Sequence, residues 1–85
     1  MTTYLVECYW PGVAASDVAA ALARATTDAD AHCVDSILVP EDEIVLCVFE
    51  GPSADVVLEA SRRSGFPSER VTRSIHVLPP KVENG

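Results

Sequence analysis

The stretch IVLCVF at residues 44–49 decides how this chain folds. All six residues are apolar, four of them are β-branched or aromatic, and Glu43 and Glu50 flank the run. A short run of this composition, followed by Gly51 and Pro52, predicts a strand rather than a helix. A strand with one wet face alternates apolar and polar residues, and this run does not. Both faces of the predicted strand must therefore be covered.

The rest of the chain predicts the order strand, helix, strand, strand, helix, strand. The predicted strands cover residues 3–10, 33–39, 44–49 and 70–78, and the predicted helices cover 17–31 and 54–64. Ser16 and Ser53 precede the two helices and are the expected N-caps. This order is the split βαβ pattern of an α+β, ferredoxin-like domain, in which both helices lie on one face of an antiparallel sheet of order 4-1-3-2. We expect one domain at residues 1–78 and a flexible tail at 79–85.

Length and charge limit the partners that the chain can have. Its 85 residues make one small domain, which buries only about 60–65% of its unfolded surface and gains stability from a partner subunit. The formal net charge is −7, with −10 in residues 1–60 and +3 in residues 61–85, and this balance disfavours nucleic acid and anionic membranes. The sequence shows neither a signal peptide nor an apolar run of about 20 residues. Three cysteines, an odd number, indicate reduced thiols, so we expect a cytoplasmic protein.

The sheet face turned away from both helices needs a cover of its own. Alternation in the fourth strand places its polar residues on that face. The expected set on that face is half large and apolar, and comprises Leu5, Glu7, Tyr9, Val45, Cys47, Phe49, Thr72, Ser74, His76 and Leu78. Such a patch usually marks an interface. We therefore expect a homodimer packed sheet against sheet, with about 800 Å² buried per subunit.

Glu7 is the strongest candidate for chemistry, because it is a charge between apolar neighbours on this face. A buried carboxylate without a partner is costly, so Tyr9, Ser74 and His76 are its expected partners. One interpretation is a satisfied polar cluster that sets the register of the dimer. The other is a pocket in which Glu7 or His76 acts as an acid or base. The candidate ligand-binding residues are Glu7, Tyr9, Trp10, Cys47, Ser74 and His76.

Two stretches resemble a known family. They are Tyr-Leu-Val-Glu at residues 4–7, and Leu-Cys-Val-Phe-Glu-Gly-Pro-Ser-Ala at residues 46–54 followed by Val56 and Val57. They are similar to a family of small ferredoxin-like domains of unknown function that includes a nickel-binding protein. The resemblance implies a dimer of ferredoxin-like subunits and, for some members, the binding of a transition metal.

The histidines set this chain apart from the metal-associated members of that family, which look richer in histidine late in the first strand and along the second helix. Nickel and similar ions prefer imidazole and thiolate ligands. The candidates here are Cys8, His32 and His76, which no single motif brings together. We therefore expect no tightly bound cofactor and weak or absent nickel binding.

The sequence thus predicts a small dimeric binding or accessory protein that takes a small ligand or a transition metal at the sheet face. The alternative is a cofactor-free enzyme of the dimeric α/β-barrel type, an isomerase or a monooxygenase, with a pocket acid or base.

Overall fold

The computed structural model describes residues 1–80, and its elements follow the predicted order. They are β1 (Thr2–Tyr9), α1 (Ala15–Ala25), β2 (His32–Val39), β3 (Ile44–Gly51), α2 (Ala54–Arg63) and β4 (Ser68–Ser74). All strand pairs are antiparallel and the sheet order is β2-β3-β1-β4, which is the predicted order read from the other edge. The ferredoxin-like α+β fold is confirmed. None of the helices described is long and apolar enough to cross a membrane.

The two helices differ in how well the sequence predicted their ends. Ser53 caps α2 as expected, because its side chain accepts a hydrogen bond from the Val56 backbone N–H at 3.3 Å. In α1 the predicted cap at Ser16 is wrong: the N-cap is Ala14, whose N–H donates to the Asp17 carboxylate at 2.9 Å.

The predicted extension of α1 to residue 31 is also wrong, since the helix ends at Ala25. Beyond that point, the hydroxyls of Thr26 and Thr27 bond back to helix carbonyls. The Asp28 carboxylate then accepts from the backbone N–H groups of Asp30 and Ala31. Such local bonds compete with the helix ladder and end it.

One core joins both helices to one face of the sheet, which we call the helix face. From β1 and β3 it takes alternate residues, which are Tyr4, Val6, Cys8, Val45, Cys47 and Phe49. The helices and the loop after α2 contribute Val18, Ala21, Ala25, Val57, Ala60 and Phe66. The opposite face, which we call the open face, carries Leu5, Glu7 and Tyr9 of β1 and Ile44, Leu46 and Val48 of β3.

The prediction that Val45, Cys47 and Phe49 lie on the open face is wrong. All three are 0% exposed on the helix face. The cause is the register, in which Cys47 lies opposite Val6, so both residues share a face. In a wholly apolar strand, alternation cannot show which residues point toward the core. The flanking charges do not help, because alternation places Glu43 and Glu50 on opposite faces of the strand.

The fourth strand was predicted to reach Leu78, and it ends at Ser74. Ser74 pairs with Thr3, and β1 begins only one residue earlier, at Thr2, so within residues 1–80 little of β1 remains for β4 to pair with. Thr72 and Ser74 lie opposite Leu5 and Thr3, as expected for the open face, whereas His76 and Leu78 lie beyond the strand. Residues 81–85 of the predicted tail lie outside the described part of the chain.

Candidate functional site

A groove at one end of the open face is the first candidate site, and we call it the Glu7 groove. It has a volume of about 190 Å³ and is lined by Glu7, Cys8, Tyr9, Ile44, Glu69 and Arg70. β1 brings Glu7 and Tyr9 to the open face because side chains alternate along a strand. β4 lies alongside β1, with Arg70 opposite Glu7 and, after a register shift between Glu7 and Cys8, Ser68 opposite Cys8.

Glu7 is paired with Arg70, not with the partners that the sequence predicted. The Arg70 Nε lies 3.4 Å from the Glu7 Oε2, and the two side chains are 71% and 39% exposed. Arg70 Nε also donates to the Thr72 hydroxyl at 3.1 Å. His76 and Ser74 lie at the other end of the sheet, at least four strand residues or about 13 Å away. In the single chain, the Glu7 carboxylate therefore forms an ion pair with the Arg70 guanidinium, and both side chains are partly exposed to solvent.

The second groove, which we call the His76 groove, lies at that other end. It has a volume of about 200 Å³ and is lined by Thr3, Tyr4, Leu5, Val48, Ser74, Ile75 and His76. Two predicted site residues, Ser74 and His76, therefore share one groove. The other lining residues are mostly apolar and include no carboxylate. This groove therefore contains no carboxylate that could form an acid–base pair with His76.

The remaining predicted site residues are scattered. Trp10 packs into the core, with its ring 6.2 Å from that of Phe66 and nearly perpendicular to it. His32 begins β2 in the same row of the sheet as Ser74, at the opposite edge, so three strand spacings or about 14 Å separate it from β4. Within residues 1–80, no three His, Cys, Asp or Glu side chains are arranged to hold a metal ion.

The three cysteines meet in the core as a thiol row formed by Cys8, Cys47 and Cys33. Each is at most 2% exposed and none is in a disulfide. The row crosses the helix face of β1, β3 and β2, because Cys8 pairs with Val45 and Cys33 with Phe49, the two residues that flank Cys47 on its own face. The Cys8 thiol also lies 3.9 Å from the Ser68 hydroxyl, which bonds to the Ser61 hydroxyl at 2.6 Å.

Hydrogen bonding within the thiol row makes its members unequal. Donation from Cys47 lowers the pKa of the Cys8 thiol against the opposing effect of burial, and the Ser68 hydroxyl adds to the lowering. Donation to Cys33 and to Cys8, together with burial, raises the pKa of Cys47. Cys47 was predicted to contact a ligand from the open face, and its place in the core removes it from that face. Cys8 is among the residues that line the Glu7 groove, while its thiol lies in the core.

Comparison with known proteins identifies the family. The model of the family described as "Nickel responsive protein SCO4226-like" matches residues 4–73, which is most of the chain. The chain belongs to the SCO4226-like family. A solved structure described as "Crystal structure analysis of SCO4226 from Streptomyces coelicolor A3(2)" is 20% identical with a TM-score of 0.68, and the match covers 89% of this chain and 99% of that one. No curated protein matches the chain.

The resemblance inferred from residues 4–7 and 46–57 is thus confirmed as membership of the SCO4226-like family. At 20% identity, the likeness to the solved SCO4226 structure supports the fold and nothing finer.

Sequence reasoning missed Arg70, Glu69 and Ile44 as groove residues of this family member. It began the fourth strand at Arg70, two residues after its true start at Ser68, and so paired Glu7 with the wrong end of that strand. The signal available was the Gly65-Phe66-Pro67 turn, after which Ser68 is the first residue free to pair.

Proposed function

We propose that this protein is a homodimeric binding module that holds a small organic ligand between the open faces of two copies. The observation that carries the proposal is that both helices pack on one face of the sheet, while the other face has apolar residues that no element of residues 1–80 covers. Its central residues include Leu5, Leu46 and Val48, which are only partly buried in the single chain.

The size of the open face suits a second copy. Four strands of seven or eight residues span roughly 19 Å by 26 Å, or about 500 Å² of flat area. Side-chain relief enlarges this area toward the ~800 Å² per partner that a stable interface buries. An identical chain also presents an identical face, as a two-fold interface requires.

The Glu7 groove is the proposed ligand site. At about 190 Å³ it is smaller than the roughly 300–1,000 Å³ of typical small-molecule pockets. One copy therefore supplies part of a site, and the open face of a second copy would close it. Ile44 and Tyr9 offer apolar contact, while Glu7 and Arg70 offer one acceptor and one donor. This lining suits a small ligand with an apolar body and one polar end.

The test begins with the mass of the protein in solution. We expect sedimentation equilibrium at micromolar concentration to give twice the 9.1 kDa of one chain. Leu46→Asp places a charge at the centre of the open face and should give a folded monomer, because burying that carboxylate in an interface is costly. Ala19→Asp, at an exposed position of α1, is the matched control and should remain a dimer. A wild-type protein of 9.1 kDa would contradict the proposal.

Metal is the second candidate occupant, and membership of a family described as nickel responsive favours it. His32 and His76 lie at opposite edges of one sheet, so a site that uses both must draw ligands from two copies. We expect weak or no nickel binding in calorimetry on tag-free protein, with zinc and copper measured alongside. If calorimetry shows a stoichiometric nickel site of sub-micromolar affinity that His76→Ala abolishes, the proposed ligand is a metal ion and not an organic molecule.

The isomerase or monooxygenase alternative requires an enclosed pocket around an acid or base. The grooves at Glu7 and at His76 are both open in the single chain, so enclosure would again depend on a second copy. For its location we propose the cytoplasm, since three buried free thiols suit a reducing compartment.

A further inference from the structure

The Glu7 groove holds more negative than positive charge. Its charged lining residues are two glutamates, Glu7 and Glu69, and one arginine, Arg70. The Arg70 Nε lies 3.4 Å from the Glu7 Oε2, while the salt bridges within residues 1–80 do not include Glu69. One guanidinium against two carboxylates leaves this groove with a formal charge of −1. The polar end of a ligand that binds here is therefore best matched by a positive charge.

Glu69 lines this groove because the pairing of β1 with β4 is irregular. Regular pairing beyond Glu7 would place Glu69 opposite Cys8, and thus on the helix face. Ser68 takes that position instead, with its side chain in the core, and Glu69 has no residue opposite it on β1. An extra residue of this kind re-aims a side chain, and such bulges are frequent beside functional sites. The irregular pairing thus adds an exposed carboxylate to the groove.

The two carboxylates of the groove can accept hydrogen bonds that the described chain does not provide. Within residues 1–80, the carboxylates that accept hydrogen bonds are those of Asp17, Asp28, Asp30, Asp35 and Glu43. Glu7 and Glu69 are not among them, because the Arg70 Nε donates to the Thr72 hydroxyl. An ammonium group offers three donors and no acceptor, so it complements carboxylates that only accept.

A second copy would not supply the missing positive charge. In the described chain, Arg70 is the lysine or arginine of the open face, because Arg73 lies opposite Tyr4 and so belongs to the helix face. The open face also carries the carboxylates of Asp35 and Glu50, which pair with other residues of that face. An identical face adds the same excess of carboxylates, whatever the orientation of the two sheets. A cationic ligand remains favoured in the dimer, as it is by the net charge of −7.

We infer that the ligand of the Glu7 groove is an organic amine, with its ammonium group at Glu7 and Glu69 and its apolar body against Tyr9 and Ile44. This inference rests on the ligand-binding role proposed above and names the chemical class of the ligand. The Tyr9 side chain is 49% exposed at the groove, and an aromatic ring attracts a cation as well as an apolar group. Ile44 lies opposite Tyr9 on β3 and offers the amine a second apolar contact.

The lining of the groove favours an organic cation over a bare metal ion. Within residues 1–80, no three His, Cys, Asp or Glu side chains are arranged to hold a metal ion. A hard cation requires about six oxygen ligands, whereas two carboxylates are enough to accept the hydrogen bonds of an ammonium group. The apolar wall of Tyr9 and Ile44 offers a metal ion no ligand, but it can cover the carbon skeleton of an amine.

Three compounds of similar shape and different charge test the inference. They are 2-phenylethylamine, 2-phenylethanol and phenylacetate, and their binding to the 85-residue protein is measured by calorimetry at pH 7 and low ionic strength. We expect the amine to bind at least about tenfold more tightly than phenylacetate, with the alcohol between them, because two carboxylates attract the ammonium group. Added salt should narrow these differences, since the charged groups are partly exposed.

Variants that each remove one carboxylate locate the binding. Glu69→Gln should weaken 2-phenylethylamine binding about fivefold or more and leave 2-phenylethanol within about twofold. Glu7→Gln should also weaken the amine and should strengthen phenylacetate, because it releases Arg70 from its ion pair. The matched control is Glu59→Gln, which removes the same charge at an exposed position of α2 and should leave all three affinities within about twofold. Circular dichroism and a urea melt establish that each variant is folded.

The outcomes separate this inference from the proposed function. If phenylacetate or 2-phenylethanol binds wild type as tightly as the amine, the amine class is wrong while a ligand-binding role stands. The inference is also overturned if none of the three compounds binds, or if Glu59→Gln weakens the amine as much as Glu69→Gln does. Sedimentation decides the oligomeric state separately, so a monomer that binds the amine selectively would overturn the proposed dimer and leave the ligand class in place.

Discussion

The two faces of β3 are equally apolar, but the helices cover only one of them. Val45, Cys47 and Phe49 are 0% exposed beneath the helices, whereas Ile44, Leu46 and Val48 on the other face are only partly buried. Both sets are wholly apolar, and a single chain covers just one of them. The composition of a strand thus reflects the burial that it reaches in its working assembly, which can exceed the burial that one chain provides.

The largest effect is expected when one side chain on each face of β3 is shortened and the losses of stability are compared. Phe49→Ala should lower the free energy of unfolding by about 3–5 kcal/mol, because the ring is fully buried and meets Phe66 edge-on at 6.2 Å. Val48→Ala, its neighbour on the open face, should cost the monomer only about 1 kcal/mol. Urea melts at a concentration where the protein is monomeric provide both values. Equal losses would show that the faces are equally packed within one chain.

The thiols sharpen the comparison, because all three lie on the helix face. An alkylating reagent should modify them slowly in native protein and rapidly in denaturant, since thiolate formation and access are both limited in a core. Cys8 and Cys33 should react before Cys47, because hydrogen bonding with the Cys47 thiol lowers the pKa of both. Cys47 should react last, since bonds to Cys33 and Cys8 raise its pKa. Peptide mapping over time gives this order, and native modification as fast as in denaturant would contradict it.

A smaller effect is expected at the outer side of the helix layer, where Arg63 joins α2 to the loop after α1. Burial opposes the ionisation of Asp28, but bonds from the Asp30 N–H, the Arg63 side chain and the Ala31 N–H outweigh it and lower the pKa. A lowered folded-state pKa gives stability that is present above the unfolded value of about 3.9 and is lost as pH falls through the folded value. Asp28→Asn should therefore cost up to about 1 kcal/mol at pH 7 and less near pH 3.

The matched control for that variant is Asp30→Asn, since Asp30 is 69% exposed and meets Arg63 only at 3.4 Å. Its melts at pH 7 and pH 3 should match those of wild type. A loss in Asp28→Asn that persists unchanged at pH 3 would mean that the Asp28 carboxylate is not the stabilising group.

The fold was predictable because each element carried its own local signal. Local signals such as the apolar run at residues 44–49 and the Ser53 cap gave the order of the elements, and that order matches the ferredoxin-like pattern, whose usual sheet order is the one observed. Family membership followed from the same stretches. The end of α1 was not predictable from periodicity, because the apolar stripe continues past Ala25 while Thr26, Thr27 and Asp28 end the helix through side-chain bonds.

The candidate site was harder to predict, because it depends on register. Glu7 and Tyr9 were placed correctly on the open face, since alternation within one strand is enough for that. The partner of Glu7 depends on the β1–β4 register, in which Thr3 lies opposite Ser74 and Glu7 opposite Arg70, and no residue pattern announces that register. The position of Cys47 required the β1–β3 register in the same way.

The pairing of Thr3 with Ser74 also means that the sheet cannot be completed until β4 has been synthesised. β1 is synthesised before the other five elements described, and its β4 neighbour is the last of them. Pairing of such sequence-distant strands is slow, because the whole intervening loop must close first. During synthesis β1 therefore keeps one edge exposed until the C-terminal part leaves the ribosome. A nascent chain stalled after α2 can pair β1 with β3 but leaves the other edge of β1 open, and such an edge is a site for aggregation.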